Sequence, residues 1–564
     1  MVLVWLPPAP NSRRRHAQKI LASARPVKVP LFSPSQALQT GMNRKKLPIG
    51  IQTFREIREE NHYYVDKTGF ALRLISEGKH YFLSRPRRFG KSLFLDTLAE
   101  LFEGNEPLFR GLYCHSRWDW SITYPVIRLN LGQGLVQSVT ELQQLLGEQI
   151  RQHQLRFGVV SDTERLSGQL QQLIERSHAR YGQRVVVLVD EYDKPILDNL
   201  AEPERARAMR DQLRDVYSVL KGSDAHLKFV FLTGVSKFSK VSLFSGLNNL
   251  KDITIDPRYS ALCGYTEQDL DAVFTEELDG LDRATVRRWY NGYNWTGESV
   301  YNPFDVLLLF DTRQFNPYWF ETGTPTFLIE LLTRRQFYTP TLSHLVTSME
   351  LLSCFDVDDI SCEALLWQTG YLTLTGTTKK GARTAYHLKY PNREVESALN
   401  AHLAYALCQR SDVSRDAELR LYDLLAASDF DGLNQHFRSL FASIPYNWYI
   451  KNDMARFEGY YASVFYSHLA ALGLDLQPED VTHQGRIDLS LKFDDQIYLF
   501  EFKLAERFPG VSPLQQILER GYTEKFAAEG LPVHCIGIIF SEKARNVIEW
   551  EHLSIPPYTG VNDA

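Results

Sequence analysis

Two sets of side chains in this 564-residue chain have the types and spacing to handle phosphate. The first is Ser84-Arg-Pro-Arg-Arg-Phe-Gly-Lys-Ser92, a basic turn between a short apolar run and an amphipathic stretch that begins at Lys91. In such a turn Gly90 lets the backbone approach a phosphate, Lys91 reaches the β- and γ-phosphates, Ser92 holds Mg²⁺, and the helix start adds its partial positive charge. Arg85 stands where the usual pattern has its first glycine, and Gly-Lys-Ser alone also describes an ordinary turn into a helix. A metal-side half follows downstream. Val185-Val-Val-Leu-Val-Asp-Glu191 reads as a buried parallel strand whose end opens onto a site, with Asp190 placed to bind Mg²⁺ through water and Glu191 to polarise an attacking water. At the end of the next strand, Thr233 and Ser236 are candidates to sense a γ-phosphate, and Arg87, Arg88 and Arg258 are candidate phosphate partners.

The second set lies near the C-terminus. Gly485 to Phe493 and Gln496 to Leu504 alternate apolar and polar residues around the two-residue turn Asp494-Asp495, so a hairpin with Phe493 opposite Gln496 fixes the register. Counting from there pairs Leu491 with Tyr498, Leu489 with Phe500 and Ile487 with Phe502 on one apolar face. On the other face Asp488 falls opposite Glu501, with Lys503 two residues along. Directly opposed like charges destabilise a strand pair unless something binds them. Asp488, Glu501 and a third carboxylate, Glu458 near the start of a helix expected over Asp453 to Leu472, suit Mg²⁺ or Mn²⁺, which prefer oxygen ligands. Lys503 could then orient water or stabilise charge on a phosphate. The bland alternative is a solvated hairpin in which Lys503 neutralises two acids; the counted register speaks against it.

These residues need elements to hold them. Alternating strands and helices over residues 75 to 240 predict a parallel α/β sheet: strands at Tyr124 to Leu131, Arg184 to Asp193 and Leu227 to Thr233, helices at Val139 to Phe157, Asp162 to Tyr181 and Glu202 to Lys221. One strand more than the minimum between the phosphate loop and the Asp-Glu strand points to the additional-strand class of P-loop ATPases. Apolar content of 44% against 23% charged residues is that of a globular chain, and no run reaches the roughly 18 apolar residues of a membrane helix, so no membrane span or membrane partner is expected. The cysteines are scattered without a Cys-x-x-Cys pair and read as reduced core residues of a cytoplasmic protein. A net charge of -5 gives no global attraction to nucleic acid, so any such binding must rest on local basic patches. Residues 1–41 carry Arg13, Arg14, Arg15, Lys19, Arg25 and Lys28 with no acid, and are expected to be a disordered leader, read as a start placed upstream of a native Met42.

The phosphate loop, Val189-Asp-Glu-Tyr-Asp193, and Leu232-Thr-Gly-Val-Ser-Lys-Phe-Ser-Lys-Val241 with Leu247-Asn-Asn-Leu250 together resemble the AAA-ATPase-like family of bacterial proteins. The Arg-Pro-Arg-Arg-Phe-Gly-Lys-Ser form is usual in that family, so the resemblance makes Arg85 a family trait and the basic run a cradle rich in positive charge. It implies ATP and Mg²⁺ at Lys91, Ser92 and Asp190, and hydrolysis as the expected activity. Trp289 to Trp295 and Tyr301 to Phe304 resemble the family's helical lid. Leu365 to Leu374, the Lys379-Lys-Gly-Ala-Arg383 turn and Tyr386 to Arg393 read as helix, strand, turn, strand: a winged-helix-like unit, weighted towards packing over DNA binding. Arg486-Ile-Asp488 and Glu501-Phe-Lys503 are similar to the metal motifs of the PD-(D/E)XK nuclease superfamily, and Ser512 to Tyr522 to its accessory helix. Gln515 and Tyr522, seven apart, would share one face of that helix, which places Gln515 beside the metal or the scissile phosphate. Val533 to Phe540 completes the expected helix, three-strand, helix, strand core.

The expected architecture is therefore a leader (1–41), a P-loop domain (42–258), a helical lid (259–345), a winged-helix-like and helical connector (346–440) and a nuclease-like domain (441–564). The expected function is an ATPase gating a metal-dependent nuclease, with DNA favoured over RNA as partner and the oligomeric state open. The same motifs also fit a signal-transducing ATPase switch whose C-terminal domain binds nucleic acid or protein without cleaving.

Overall fold

The fold is known from a computed structural model, which describes residues 45–237, 249–321, 326–335, 337–349, 352, 355–356, 359–408, 415–444 and 458–557. The leader, residues 238–248 of the third ATPase motif, residues 453–457 of the long C-terminal helix and Cys354 lie outside the described residues.

Five short strands, β1 (His80–Ser84), β2 (Val126–Asn130), β3 (Val185–Asp190), β4 (Leu227–Gly234) and β5 (Lys251–Asp252), form a parallel sheet in the order β2-β3-β4-β1-β5. All of β1 and β3 is buried, which is why Val185 to Asp190 reads as an unbroken apolar run up to its acid. β4 is threaded between β1 and β3, pairing Ser84 with Gly234 and Val189 with Leu232. The C-terminal ends of three strands thus meet at one edge, where open parallel sheets bind ligands. The extra strand counted along the chain, β2, lies outside β3, and its spatial consequence is the interposed β4. The helix Val139–Phe157 has its predicted bounds, with Ser138 capping the Glu141 N–H and Gly158 closing it in the left-handed region. The next helix is shorter than predicted, Leu166–Tyr181, because the chain before it is held as a turn in which the Asp162 N–H donates to Gln172 Oε1 at 2.8 Å.

The middle of the chain adds helices Arg283–Tyr290, Pro303–Thr312 and Cys362–Thr369, a two-strand pair β7 (Phe355–Asp356) and β8 (Asp359–Ile360), and a three-stranded antiparallel sheet. That sheet, in the order β6-β10-β9, is made of β6 (Leu345–Ser348), β9 (Thr373–Lys380) and β10 (Arg383–Lys389). Gly292 packs directly on the chain at Pro391: its φ of +119° and a would-be Cβ only 1.9 Å from the Pro391 carbonyl oxygen admit no other residue.

The C-terminal sheet runs β11 (Asp475–Val481), β12 (Arg486–Phe493), β13 (Gln496–Leu504), β14 (Val533–Ser541) and β15 (Asn546–Ile555), antiparallel except for β13 with β14. Leu489, Leu491, Phe500 and Phe502 pack with Phe465 of the helix Glu458–Ala470 on one side; Ile497, Leu499 and Cys535 pack with Ile517 of the helix Pro513–Glu519 on the other. The result is a sheet covered on both faces, with its acids at one end.

One core feature was not anticipated. Asp305 and Glu394 are both wholly buried, and among the described residues neither Asp305 carboxyl oxygen nor Glu394 Oε2 has a hydrogen-bond partner. Glu394 Oε1 accepts the Trp319 N–H at 2.8 Å. Burial pushes Glu394 up to about 7, and burial followed by the Glu394 charge holds Asp305 well above the ordinary carboxylate range. This environment favours the neutral, protonated form of the pair. Because the folded value is raised, the contribution to stability is complete below the ordinary value of 4.5 and is lost as pH rises towards and through about 7. Glu394→Gln should therefore gain on wild type with rising pH, by roughly 3 kcal/mol at pH 8 at one pKa unit per 1.4 kcal/mol. Urea unfolding of both proteins from pH 4.5 to 8 checks this; parallel curves would exclude a buried titration.

Candidate functional site

At the edge where β1, β3 and β4 end, the loop Arg85 to Gly90 turns under positive φ at Arg88 (67°) and Gly90 (88°) and delivers Lys91 as the first residue of the helix Lys91–Phe102. A cavity of about 380 Å³ opens there, lined by Arg87, Arg88, Gly90, Lys91, Ser92 and Glu191 on its polar side and by Ile51, Tyr265, Phe304 and Leu307 on its apolar side. That combination of cation, backbone donors and an apolar wall suits a planar base carrying phosphates. Lys91 Nζ donates to the carbonyls of Arg85 (3.0 Å) and Pro86 (2.9 Å), so its charge is poised at the loop. The Arg88 guanidinium lies over the Phe304 ring, 4.9 Å from its centroid.

Arg85 departs from the expected cradle. It is fully buried, donates to the carbonyls of Ser84, Thr254 and Tyr259, and stacks on Trp295 at 3.9 Å. Its charge is spent on pinning the loop, and only Arg87 and Arg88 face the cavity. Asp190 Oδ1 accepts from Thr233 Oγ1 at 2.7 Å and from the Glu191 N–H at 3.1 Å, so Thr233 holds the Asp190 carboxylate in place. Ser236 does not face the cavity: its N–H and Oγ–H both donate to buried Asp193, whose carboxylate locks the loop after β4 to the end of β3. Arg258 is engaged by Asp256 (2.6 Å) and Glu77 (3.1 Å) and does not line this cavity.

In the C-terminal sheet the counted register holds from Phe493↔Gln496 to Leu489↔Phe500. Beyond it the ladder opens. Phe502 N–H donates to Asp488 Oδ2 at 2.8 Å, and Asp488 N–H faces Glu501 Oε2 at 3.4 Å, so the two acids replace backbone partners at this rung. The break corrects the expected face of Ile487, which packs with Ile497, Leu499 and Tyr522 and not with Leu489 and Leu491. Lys503 Nζ donates to Glu501 Oε1 at 3.1 Å. Burial and then the Asp488 charge raise Glu501, and burial raises Asp488; burial works against the Lys503 ammonium, but Glu501 and Asp488 outweigh it and raise Lys503. Glu458, at the start of its helix, is raised by burial and feels both Lys503 and Asp488.

Three residues escaped the sequence reading. Gln516 Nε2, not Gln515, donates to Glu501 Oε1; Gln515 is exposed and bonds Glu519 at 2.7 Å. The buried pair Pro513 and Ile517 sets the inner helix face, and Gln516 lies on its edge. The seven-residue spacing to Tyr522 does not apply, because the helix ends at Glu519 and Gly521 turns the chain at φ 54°. Glu479 of β11, at φ 53° and paired with Arg486, adds its charge to Asp488, and Tyr338 OH reaches it at 3.4 Å. Pro478 among acids hid this strand. Among the described residues, no three His, Cys, Asp or Glu side chains already converge as a metal-ligand group, so Glu458, Asp488 and Glu501 are not a ready-made triad. Glu501 Oε1 is held by Lys503 and Gln516, and Asp488 Oδ2 by the backbone.

The first sheet is that of an additional-strand P-loop ATPase, and the second is a covered mixed sheet with acids and a lysine at a strand break. Residues 48–244 match the AAA-ATPase-like family model, described as a predicted AAA-ATPase, and residues 456–550 match the PD-(D/E)XK nuclease superfamily. The chain belongs to this AAA-ATPase-like family and carries a C-terminal PD-(D/E)XK nuclease superfamily domain. A protein of Azotobacter chroococcum mcd 1, named "Uncharacterized protein in vnfD 5'region", is 58% identical over 509 residues, spanning 90% of this chain and 98% of its own. Among the described residues no helix is long and apolar enough to cross a membrane.

Proposed function

We propose that this chain is a cytoplasmic ATPase whose nucleotide occupancy gates a Mg²⁺- or Mn²⁺-dependent phosphodiesterase acting on nucleic acid, with DNA as the favoured substrate. The observation that carries the reading is the Asp488–Glu501–Lys503 cluster, with Glu501 buried and the other two half-buried, held at a break in the strand ladder. Its donor set fits a hard divalent cation: two carboxylates, Glu501 raised by burial and the Asp488 charge and Asp488 by burial and the Glu479 charge, are relieved by a cation, and Mg²⁺ commonly uses only one or two carboxylates with water and substrate phosphate. Asp488 and Glu501 would hold the ion, which when bound supplies an acidified water and positive charge for the phosphate. The chain's own groups do the rest. Lys503, kept charged by Glu501 and Asp488, offers its ammonium to the developing phosphate charge. Gln516 fixes the Glu501 carboxylate, and Glu458 adds a negative charge beside Lys503.

At the other site, Lys91 and Ser92 would take the phosphates, Arg87, Arg88 and Gly90 line their path, Asp190 the Mg²⁺ side, and Glu191 the attacking water. A bonded route favours gating. Trp319 Nε1 donates to the Arg87 carbonyl (3.1 Å), and its N–H to Glu394. Glu394 begins the helix Arg393–Cys408, whose Leu407 carbonyl accepts Tyr460 OH (3.2 Å) from the helix that starts at Glu458.

A paired substitution tests the site. Gln516→Ala should lower DNA cleavage about 10- to 100-fold, the usual cost of losing an outer partner of a metal-holding carboxylate, while Gln515→Ala stays within about twofold of wild type. Equal rates for Gln516→Ala and wild type would remove the carboxylate cluster from the chemistry.

A further inference from the structure

The three-stranded sheet of the connector carries a surface that the ATPase and nuclease sites leave unused. β9 is its edge strand, and Thr375 to Lys380 are all exposed, on both faces of the strand. β9 and β10 turn through Gly381 and Ala382, so Lys380 pairs directly with Arg383 and Lys379 with Thr384. Two like charges are thereby set opposite one another on one face, with Lys379 on the other, an arrangement that destabilises the strand pair unless an anion lies between them. Lys379, Lys380 and Arg383 have no carboxylate partner among the described residues. On the Lys380–Arg383 face, Thr378 Oγ1 and His387 Nε2 are hydrogen-bonded at 2.7 Å and continue the row of polar groups down the ribbon.

The ribbon is tied to the nuclease-like sheet. Tyr338 touches Glu479 beside Asp488, Thr339 bonds Ser463 and Ser467 of the helix Glu458–Ala470, and the same segment runs on into β6. Leu345 in the ribbon's sheet lies seven positions after Tyr338 at the acid cluster.

We infer that the β9–β10 ribbon is a second nucleic-acid contact, in which Lys379, Lys380 and Arg383 grip the phosphates of duplex DNA beside the stretch presented to Asp488 and Glu501. The inference rests on the proposed function for its choice of partner. The exposed strand β9 and the charged turn that joins it to β10 fit the wide major groove of B-form DNA, and the deep, narrow major groove of A-form RNA excludes them.

The test is fluorescence anisotropy of the full-length protein on a 25-base-pair DNA duplex, roughly two and a half helical turns, in EDTA across a salt series. The triple variant Lys379→Ala/Lys380→Ala/Arg383→Ala should bind about 10- to 100-fold more weakly near 0.1 M salt and lose roughly 2 to 3 units of slope in log K against log salt, near 0.9 per lost phosphate contact. Its thermal midpoint should match or exceed that of wild type, since the side chains are exposed and their removal relieves the opposed charges, and Lys379→Arg/Lys380→Arg should bind as wild type. Unchanged affinity and slope in the triple variant, an equal loss on an A-form RNA duplex, or no duplex binding by wild type at low salt would each overturn the inference. Binding is read in EDTA, without the divalent cation that cleavage requires, so a failure of the cleavage reading and a failure of this one give different results.

Discussion

Lys503→Ala should cleave DNA about 10²- to 10³-fold more slowly than wild type, the usual cost of removing one positioned group that meets developing charge. Lys503 is only 13% exposed in its side chain and sits 3.1 Å from Glu501, whose own side chain is 2% exposed. Removing the ammonium leaves Asp488 and Glu501 facing one another without the cation that lowers both of them. Mn²⁺ affinity should therefore hold or rise as cleavage falls. Isothermal titration with Mn²⁺ beside single-turnover cleavage separates these effects; cleavage at the wild-type rate would show that Lys503 has a purely structural role.

Lys91→Ala should weaken ATP binding by about 10²-fold or more, because a buried ammonium makes charge-assisted bonds of roughly 1.5 to 3 kcal/mol each. In the structure those bonds go to the Arg85 and Pro86 carbonyls, and a nucleotide would exchange them for phosphate oxygens. The fold should survive, since Arg85 independently pins the loop to Thr254 and Tyr259. Wild type at 100 times its dissociation constant gains about 2.7 kcal/mol from ATP, and the variant should show almost none of this gain in the same thermal-shift measurement. An equal shift in both proteins would place the nucleotide elsewhere.

The parts of the fold legible in the sequence are those where one local signal decides. The apolar run Val185 to Val189 could only be a buried strand, and the Asp494-Asp495 turn set a register that holds through Leu489↔Phe500. The register stopped predicting faces at Asp488, where carboxylates bond backbone N–H groups in place of the ladder, and strict alternation has no way to encode that exchange. Gln516 was missed because a helix face was counted through a break at Gly521 that the spacing alone did not reveal. The orientation of Arg85 depends on Trp295, more than 200 residues away, so its charge looked available when it was already committed. The Asp305–Glu394 pair likewise joins distant segments, and each residue alone reads as an ordinary helix acid.

The central claim, that nucleotide at the first sheet controls phosphodiester cleavage at the second, is tested most directly by one titration. Cleavage of a linear DNA duplex in Mg²⁺ would be followed as ATP is raised, for wild type and Lys91→Ala side by side. The account predicts a wild-type rate that changes with ATP at the concentration where ATP binds, and a Lys91→Ala rate that does not respond. A wild-type rate independent of ATP, or no cleavage at any nucleotide concentration, would contradict it.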